Sequence, residues 1–151
     1  MIRRRSFLAA SAMATLAGCG GAPEPPVVDL TIRAAPDLNR NPAGSPLAVA
    51  VRLYALNARS RFSTADVYAL MDRDRTVLTD EGSRVEEIVV RPGETRKITL
   101  MPKPDVRYLG AVVMYQDIDR SQWRAIAAIA PSGPTKLMLT LGSNRAALEA
   151  A

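Results

Sequence analysis

Cys19 is the only thiol in a chain of 151 residues that contains no histidine. Those two counts remove most of the chemistry open to a protein of this size. Without His, the commonest general base and the commonest transition-metal ligand are missing. With one Cys, neither an intramolecular disulfide nor a Cys-cluster zinc site can form. The acidic residues are poorly spaced for catalysis. Asp117-Ile-Asp119-Arg-Ser121 alternates like a calcium loop but lacks the Gly and the distant Glu of an EF-hand, and reads as a polar turn between strands. Asp72-Arg-Asp74-Arg reads as a solvated helix end neutralised by its own arginines. Glu86 and Glu87 are adjacent on a predicted strand, so they face opposite ways and form no carboxylate pair without a bulge. No Gly-rich phosphate loop precedes a helix. A serine activated by Lys97, Lys103 or Lys136 is the remaining nucleophile, and no spacing favours it. The sequence therefore predicts a protein that is not an enzyme and holds no metal or cofactor.

The surroundings of Cys19 point to a different use of its sulfur. Arg3, Arg4 and Arg5 form a basic cluster, and the run Phe7–Ala17 is mainly apolar and small. That run is shorter than the roughly 20 residues a bilayer span needs. A basic start, a short apolar core and a small-residue exit make a secretory signal peptide. The exit, Leu16-Ala17-Gly18-Cys19, resembles the bacterial lipobox. The resemblance implies diacylglyceryl transfer to the Cys19 thiol, cleavage before it, and acylation of the new amino group. Arg4-Arg5-Ser6-Phe7-Leu8 also resembles the twin-arginine export pattern, while the same string fits the basic start of an ordinary Sec signal. Both routes stay open.

Cleavage changes the charge argument. The whole chain has 20 basic and 15 acidic side chains, a formal net charge of +5. Three arginines and no acid precede Cys19, so the mature chain carries 17 against 15. A nucleic-acid partner loses its electrostatic support. Three acyl chains on Cys19 would anchor the protein firmly, since even two signals suffice. Gly20 stands where an Asp would resemble the inner-membrane retention signal, so the resemblance implies the inner leaflet of the outer membrane. Gly20–Pro26, with three prolines, reads as an extended tether reaching roughly 20 Å. The expected organisation is a signal peptide at 1–18, lipidated Cys and tether at 19–26, one folded domain at 27–142 and a tail at 143–151.

The elements that hold any surface site are short strands. Val28, Leu30 and Ile32 alternate with Asp29, Thr31 and Arg33, the period of a half-buried strand. Ala34–Pro46 carries three Pro, two Asn and a Gly and reads as a loop. Leu47–Leu56 is a second strand, with Leu47, Val49, Val51 and Leu53 on one face and Arg52 and Tyr54 on the other. Ser63 is the expected cap of a single helix through Val67, Leu70 and Met71 that ends at Asp72–Asp74. Strands are expected at Val85–Arg91 and Thr95–Met101, joined by a type II turn at Pro92-Gly93. Three more are expected at Arg107–Tyr115, Trp123–Ala130 and Lys136–Leu141, with Ser143–Ala151 a short helix or a frayed tail. Seven short strands and one helix predict a mainly β sandwich. Trp123 is expected in the core, and Arg52 and Arg124 are expected to pair with Asp117 or Asp119.

The ordered motifs resemble one family. Asp37, Asn39, Gly44-Ser-Pro46 and Val49-Ala-Val51-Arg52-Leu-Tyr54-Ala-Leu56 resemble the second-strand region of the TssJ family, the outer-membrane lipoproteins of type VI secretion systems. Phe62 with Ala65-Asp66 and Leu70, Pro92-Gly93, Tyr108-Leu109-Gly110-Ala-Val112, Tyr115-Gln-Asp117 and Trp123-Arg124 follow in the family's order. Val67 replaces an aromatic, Gln116 an Arg, and Met114 departs from the usual residue before the Tyr. The resemblance implies a transthyretin-like two-sheet β-sandwich with one added short helix, and a hairpin at Pro92-Gly93. It implies a tethering role: binding the periplasmic C-terminal domain of TssM, in the membrane complex with TssL. It also implies that the loop between the first two strands contributes to that contact. Here Asp37, Asn39, Arg40 and Asn41 would supply polar contacts and Leu38 an apolar anchor. The alternative is a periplasmic ligand-binding or carrier lipoprotein; a lipoprotein hydrolase is disfavoured by the missing His.

Overall fold

The computed structural model describes residues 20–151, so Leu16, Ala17, Gly18 and Cys19 lie outside the described residues. Eight strands build two four-stranded sheets: β1 (Pro26–Ala34), β2 (Val49–Leu56), β3 (Gly82–Val90), β4 (Thr95–Leu100), β5 (Tyr108–Val113), β6 (Arg124–Ala128), β7 (Gly133–Leu141) and β8 (Ala146–Ala150). One sheet runs β4-β1-β7-β8 and the other β3-β2-β5-β6. Only the β1–β7 pair among these is parallel.

Alternation assigns the faces. Val28, Leu30 and Ile32 of β1 meet Val49, Val51 and Leu53 of β2 and Leu137, Leu139 and Leu141 of β7 in the main core between the sheets. The mainly β, two-sheet reading of the sequence is what the structure shows. A second core lies on the outer face of β3-β2-β5-β6. There Tyr54, Leu56 and Val112 pack against Phe62, Val67, Leu70 and Leu78. Tyr54 and Phe62 meet with ring centroids 5.5 Å apart. Gly110 on β5 makes this possible, because a Cβ there would sit 2.7 Å from Phe62 Cζ.

Four local expectations are corrected. Two helices, α1 (Ser60–Thr64) and α2 (Val67–Leu78), replace the single one, with extended backbone at Ala65 and Asp66 between them. Ser63 lies inside α1; the cap of α2 is Asp66, whose carboxylate accepts from the Tyr68 and Ala69 amides. Ser143–Ala151 is neither helix nor tail: Ala146–Ala150 is β8, in register with Leu137–Leu141. Finally, Pro92-Gly93 forms the expected turn, with Gly93 at φ 74° and the Glu94 amide bonded to the Arg91 carbonyl. It closes no hairpin, however. β3 pairs with β2 and β4 pairs with β1, so the turn carries the chain from one sheet to the other.

Candidate functional site

Four connections meet at the end of the sandwich where β1 finishes: 35–48, 91–94, 114–123 and 142–145. The first is the longest, and it is folded rather than slack. Leu38 turns inward and is wholly buried in the main core. Asn39 follows at φ 48°, a left-handed conformation that Asn adopts more readily than most residues. Its side chain is also buried and bridges two connections: Nδ2 donates to the Ala48 carbonyl at 3.0 Å, and Oδ1 accepts from the Gln116 amide at 2.8 Å. The tip is a small closed turn. The Asn41 and Ser45 backbones pair, Asn41 Oδ1 accepts from the Ser45 amide at 2.9 Å, and Gly44 supplies a positive φ of 84°.

The sequence-predicted contact residues therefore divide by direction. Asp37 and Arg40 stand on the surface, about half exposed, with their charges 3.7 Å apart. Leu38 is no anchor for a partner, because it fills this protein's own core. Asn39 is also buried, with both ends of its amide bonded inside the protein, so it presents almost no surface. Asn41 is partly turned into its own loop.

The structure adds residues that spacing alone did not bring to this end. Arg40, Asn41 and Pro42 face Gln116, Asp117 and Arg120 across a shallow depression of about 530 Å³. Ile118–Arg120 is a single 3₁₀ turn, and Asp119 is held from the helix side by Tyr68, whose hydroxyl donates to it at 3.0 Å. That bond raises the Tyr68 pKa. The Gln122 amide bonds to the Asn144 carbonyl and the Ala146 amide to the Gln122 carbonyl, fixing connection 114–123 to 142–145. This end thus carries Arg40 and Arg120 with Asp37, Asp117 and Asp119 on braced backbone, suited to a protein surface of mixed charge.

The two arginines expected to pair here do other work. Arg52 Nε bonds to Glu87 at 3.0 Å and its Nη1 to the Met71 carbonyl at 2.9 Å, tying β2 to β3 and α2. Arg124 donates to the Phe62 and Ala65 carbonyls at 2.6 and 2.8 Å, satisfying the end of α1, and lies 4.3 Å over the Trp123 ring. Burial lowers its pKa. Trp123 is half-buried against both cores. Asp74 is not simply solvated: it accepts from the Tyr54 hydroxyl at 3.2 Å and lies 3.6 Å from Arg84. The register shift in the β2–β3 pairing falls at Val85, so Glu86 and Glu87 stay in consecutive register opposite Leu53 and Arg52, and Glu87 is engaged by Arg52 and Arg84.

Among the described residues no group of three or more acidic, His or Cys side chains converges, and no helix is long and apolar enough to cross a membrane. Fold and surface together define a two-sheet β-sandwich that presents one braced, mixed-charge loop end. Comparison with known proteins gives that class its family. Residues 26–144 match the family described as type VI secretion lipoprotein, VasD, EvfM, TssJ. The crystal structure of the T6SS lipoprotein TssJ1 from Pseudomonas aeruginosa is 33% identical, with a TM-score of 0.80 over 84% of this chain and 97% of that one. Serratia marcescens Lip, a membrane-bound component of the type VI secretion system, is 21% identical, with a TM-score of 0.74 over 84% and 96%. A chain in the structure of the T6SS protein TssM C-terminal domain from EAEC is 24% identical, with a TM-score of 0.67 over 83% and 98%. No curated protein matches. The chain belongs to the type VI secretion lipoprotein family.

Proposed function

We propose that this protein is anchored by lipid on Cys19 in the inner leaflet of the outer membrane, and that it tethers the type VI secretion membrane complex by binding the periplasmic C-terminal domain of TssM. The observation that carries the reading is the polarity of β1. The tether enters at Pro26, and the braced loop end begins after Ala34. Nine residues of strand separate them by roughly 30 Å. A lipid at one end and a partner surface at the other is the arrangement a tether needs. A family relative's fold occurring in a structure of a TssM C-terminal domain supports the choice of partner. The contact would use Asp37, Arg40 and the exposed part of Asn41, with Gln116, Asp117 and Arg120 beside them.

The test has two arms. Cys19→Ser should leave a folded protein that no longer fractionates with the outer membrane and no longer supports secretion; normal secretion by this variant would defeat the anchoring role. The soluble chain, titrated calorimetrically with the TssM periplasmic domain, should bind, and Arg120→Glu should weaken binding without changing the melting temperature. An unchanged dissociation constant would move the contact to another face.

A further inference from the structure

The two ends of the sandwich are finished differently. At the loop end Leu38 and Tyr115 close the gap between the sheets. At the end where β1 starts, the gap stays open as a cleft of about 350 Å³, lined by Val28, Leu100, Val106, Leu109 and Ile129. Met101 stands at its rim and is 81% exposed, the most exposed large apolar side chain among the described residues. Core filling explains neither the open mouth nor this side chain.

What faces the mouth follows from the chain path. Pro26 pairs with Gly133 at this end, and Gly20–Pro25 run up to it exposed and without secondary structure. Six residues span at most roughly 20 Å, so a lipid on Cys19 keeps this end, and not the loop end, close to the bilayer. The rim chemistry suits that neighbour. Lys103 and Arg107 are exposed on the 101–107 connection, and Arg59 lies 6.0 Å over the half-buried Tyr108 ring. Asp80 and Asp105 lie beside the mouth, and Glu24 of the tether stands against Gly133 at the same end. Apolar and aromatic side chains edged with cations are the composition of a surface that rests at the headgroup–acyl boundary.

We propose that this open end is a second membrane contact, with Met101 and the cleft mouth seated on the lipid surface and Lys103, Arg107 and Arg59 meeting lipid phosphates. The inference rests on the lipidation of Cys19 proposed above. The acyl chains supply the anchoring, so the role of this contact is orientation: it stands the sandwich upright and points the loop end away from the membrane.

The test is hydrogen exchange on the full lipidated protein in phosphatidylethanolamine–phosphatidylglycerol vesicles, with the soluble Cys19→Ala chain as reference. Amides of 100–107 should exchange several-fold more slowly on vesicles, while those of 36–47 should not change. Met101→Asp should stay anchored and lose that protection. Four results would overturn the contact alone: an anchored protein without protection at 100–107; protection kept in Met101→Asp; protection in detergent without vesicles, which would place the protein's own acyl chain in the cleft; or concentration-dependent protection of the Cys19→Ala chain, which would place a second copy or a small apolar ligand there. Intact mass showing no lipid on Cys19 would instead overturn the anchoring reading, and this contact with it.

Discussion

The side-chain oxygen of Asn39 accepts the backbone N–H of Gln116 at 2.8 Å, joining two connections 77 positions apart in the chain. With the companion bond to Ala48, one buried amide holds the whole loop end in register. Replacing it with Ala removes both bonds, leaves the Gln116 amide and the Ala48 carbonyl without this partner, and keeps a Cβ-bearing residue at φ 48°. Asn39→Ala should cost about 2–3 kcal/mol in denaturant unfolding. Asn39→Gly should recover only the backbone share of that loss. Equal stability of Asn39→Ala and the parent would show that the bridge is not what fixes the loop.

Leu38 and Arg40 are two residues apart and should behave oppositely. Leu38 is a core side chain, so Leu38→Ala should lower stability by about 2–5 kcal/mol. Arg40→Glu changes an exposed charge and should leave the melting temperature within a degree or so while weakening TssM binding. For the same reason a deletion of residues 37–41 would be uninformative about binding, since it removes a core residue and the bridge together. Thermal melts beside calorimetry separate the two effects.

Tyr115 carries a buried hydroxyl with no hydrogen-bond partner among the described residues. The nearby Gly142 amide is already given to the Arg145 carbonyl at 2.8 Å. Burial drives the Tyr115 pKa upward. Tyr115→Phe keeps the ring and deletes an unsatisfied polar atom, so it should be neutral or stabilising by up to about 1 kcal/mol. A clear loss of stability in urea titration would reveal a partner for that hydroxyl.

Two groups set opposite pH limits. Glu94 accepts from the Arg91 amide at 2.8 Å and from Arg96 at 2.6 Å, and these bonds, the backbone one first, hold its carboxyl below the usual range. A depressed folded-state pKa gives stability that is present above the unfolded value and lost as pH falls through the folded one. Glu94→Gln should therefore flatten the acid limb of the stability curve. Tyr54 is pushed up to about 12, first by burial and then by Asp74. A raised pKa gives stability that is full below the ordinary tyrosine value of 10.0 and lost as pH rises through about 12. Tyr54→Phe should remove that alkaline loss, at a cost near neutrality of about 1 kcal/mol for the bond to Asp74. Melting temperature followed across pH reads both.

Local rules carried much of this fold, and their failures have a common origin. The alternation of β1 and β2 and the turn at Pro92-Gly93 depend on neighbours in sequence, and each stands where the residue pattern placed it. The sheet membership on either side of that turn does not, because pairing is decided by strands far away. Arg145-Ala-Ala-Leu-Glu-Ala-Ala151 has helical residues, yet it pairs with β7; an available strand edge outweighs a weak intrinsic preference. The long loop was readable as a loop, but a single Leu among polar residues has no period from which to tell inward from outward. Arg52 and Arg124 found backbone carbonyls of the helices rather than aspartates, partners that no charge pattern displays. Gln116 and Arg120 joined the candidate surface through a tertiary bridge that only Asn39's position revealed.

The central place of β1 also bears on the order of assembly. Val28 is zipped between Leu100 and Thr135, so the first strand made is locked only by strands made much later. Contacts this distant in sequence form slowly. A chain released amino end first must therefore keep that end unzipped, and open to modifying enzymes, until nearly all of it has emerged.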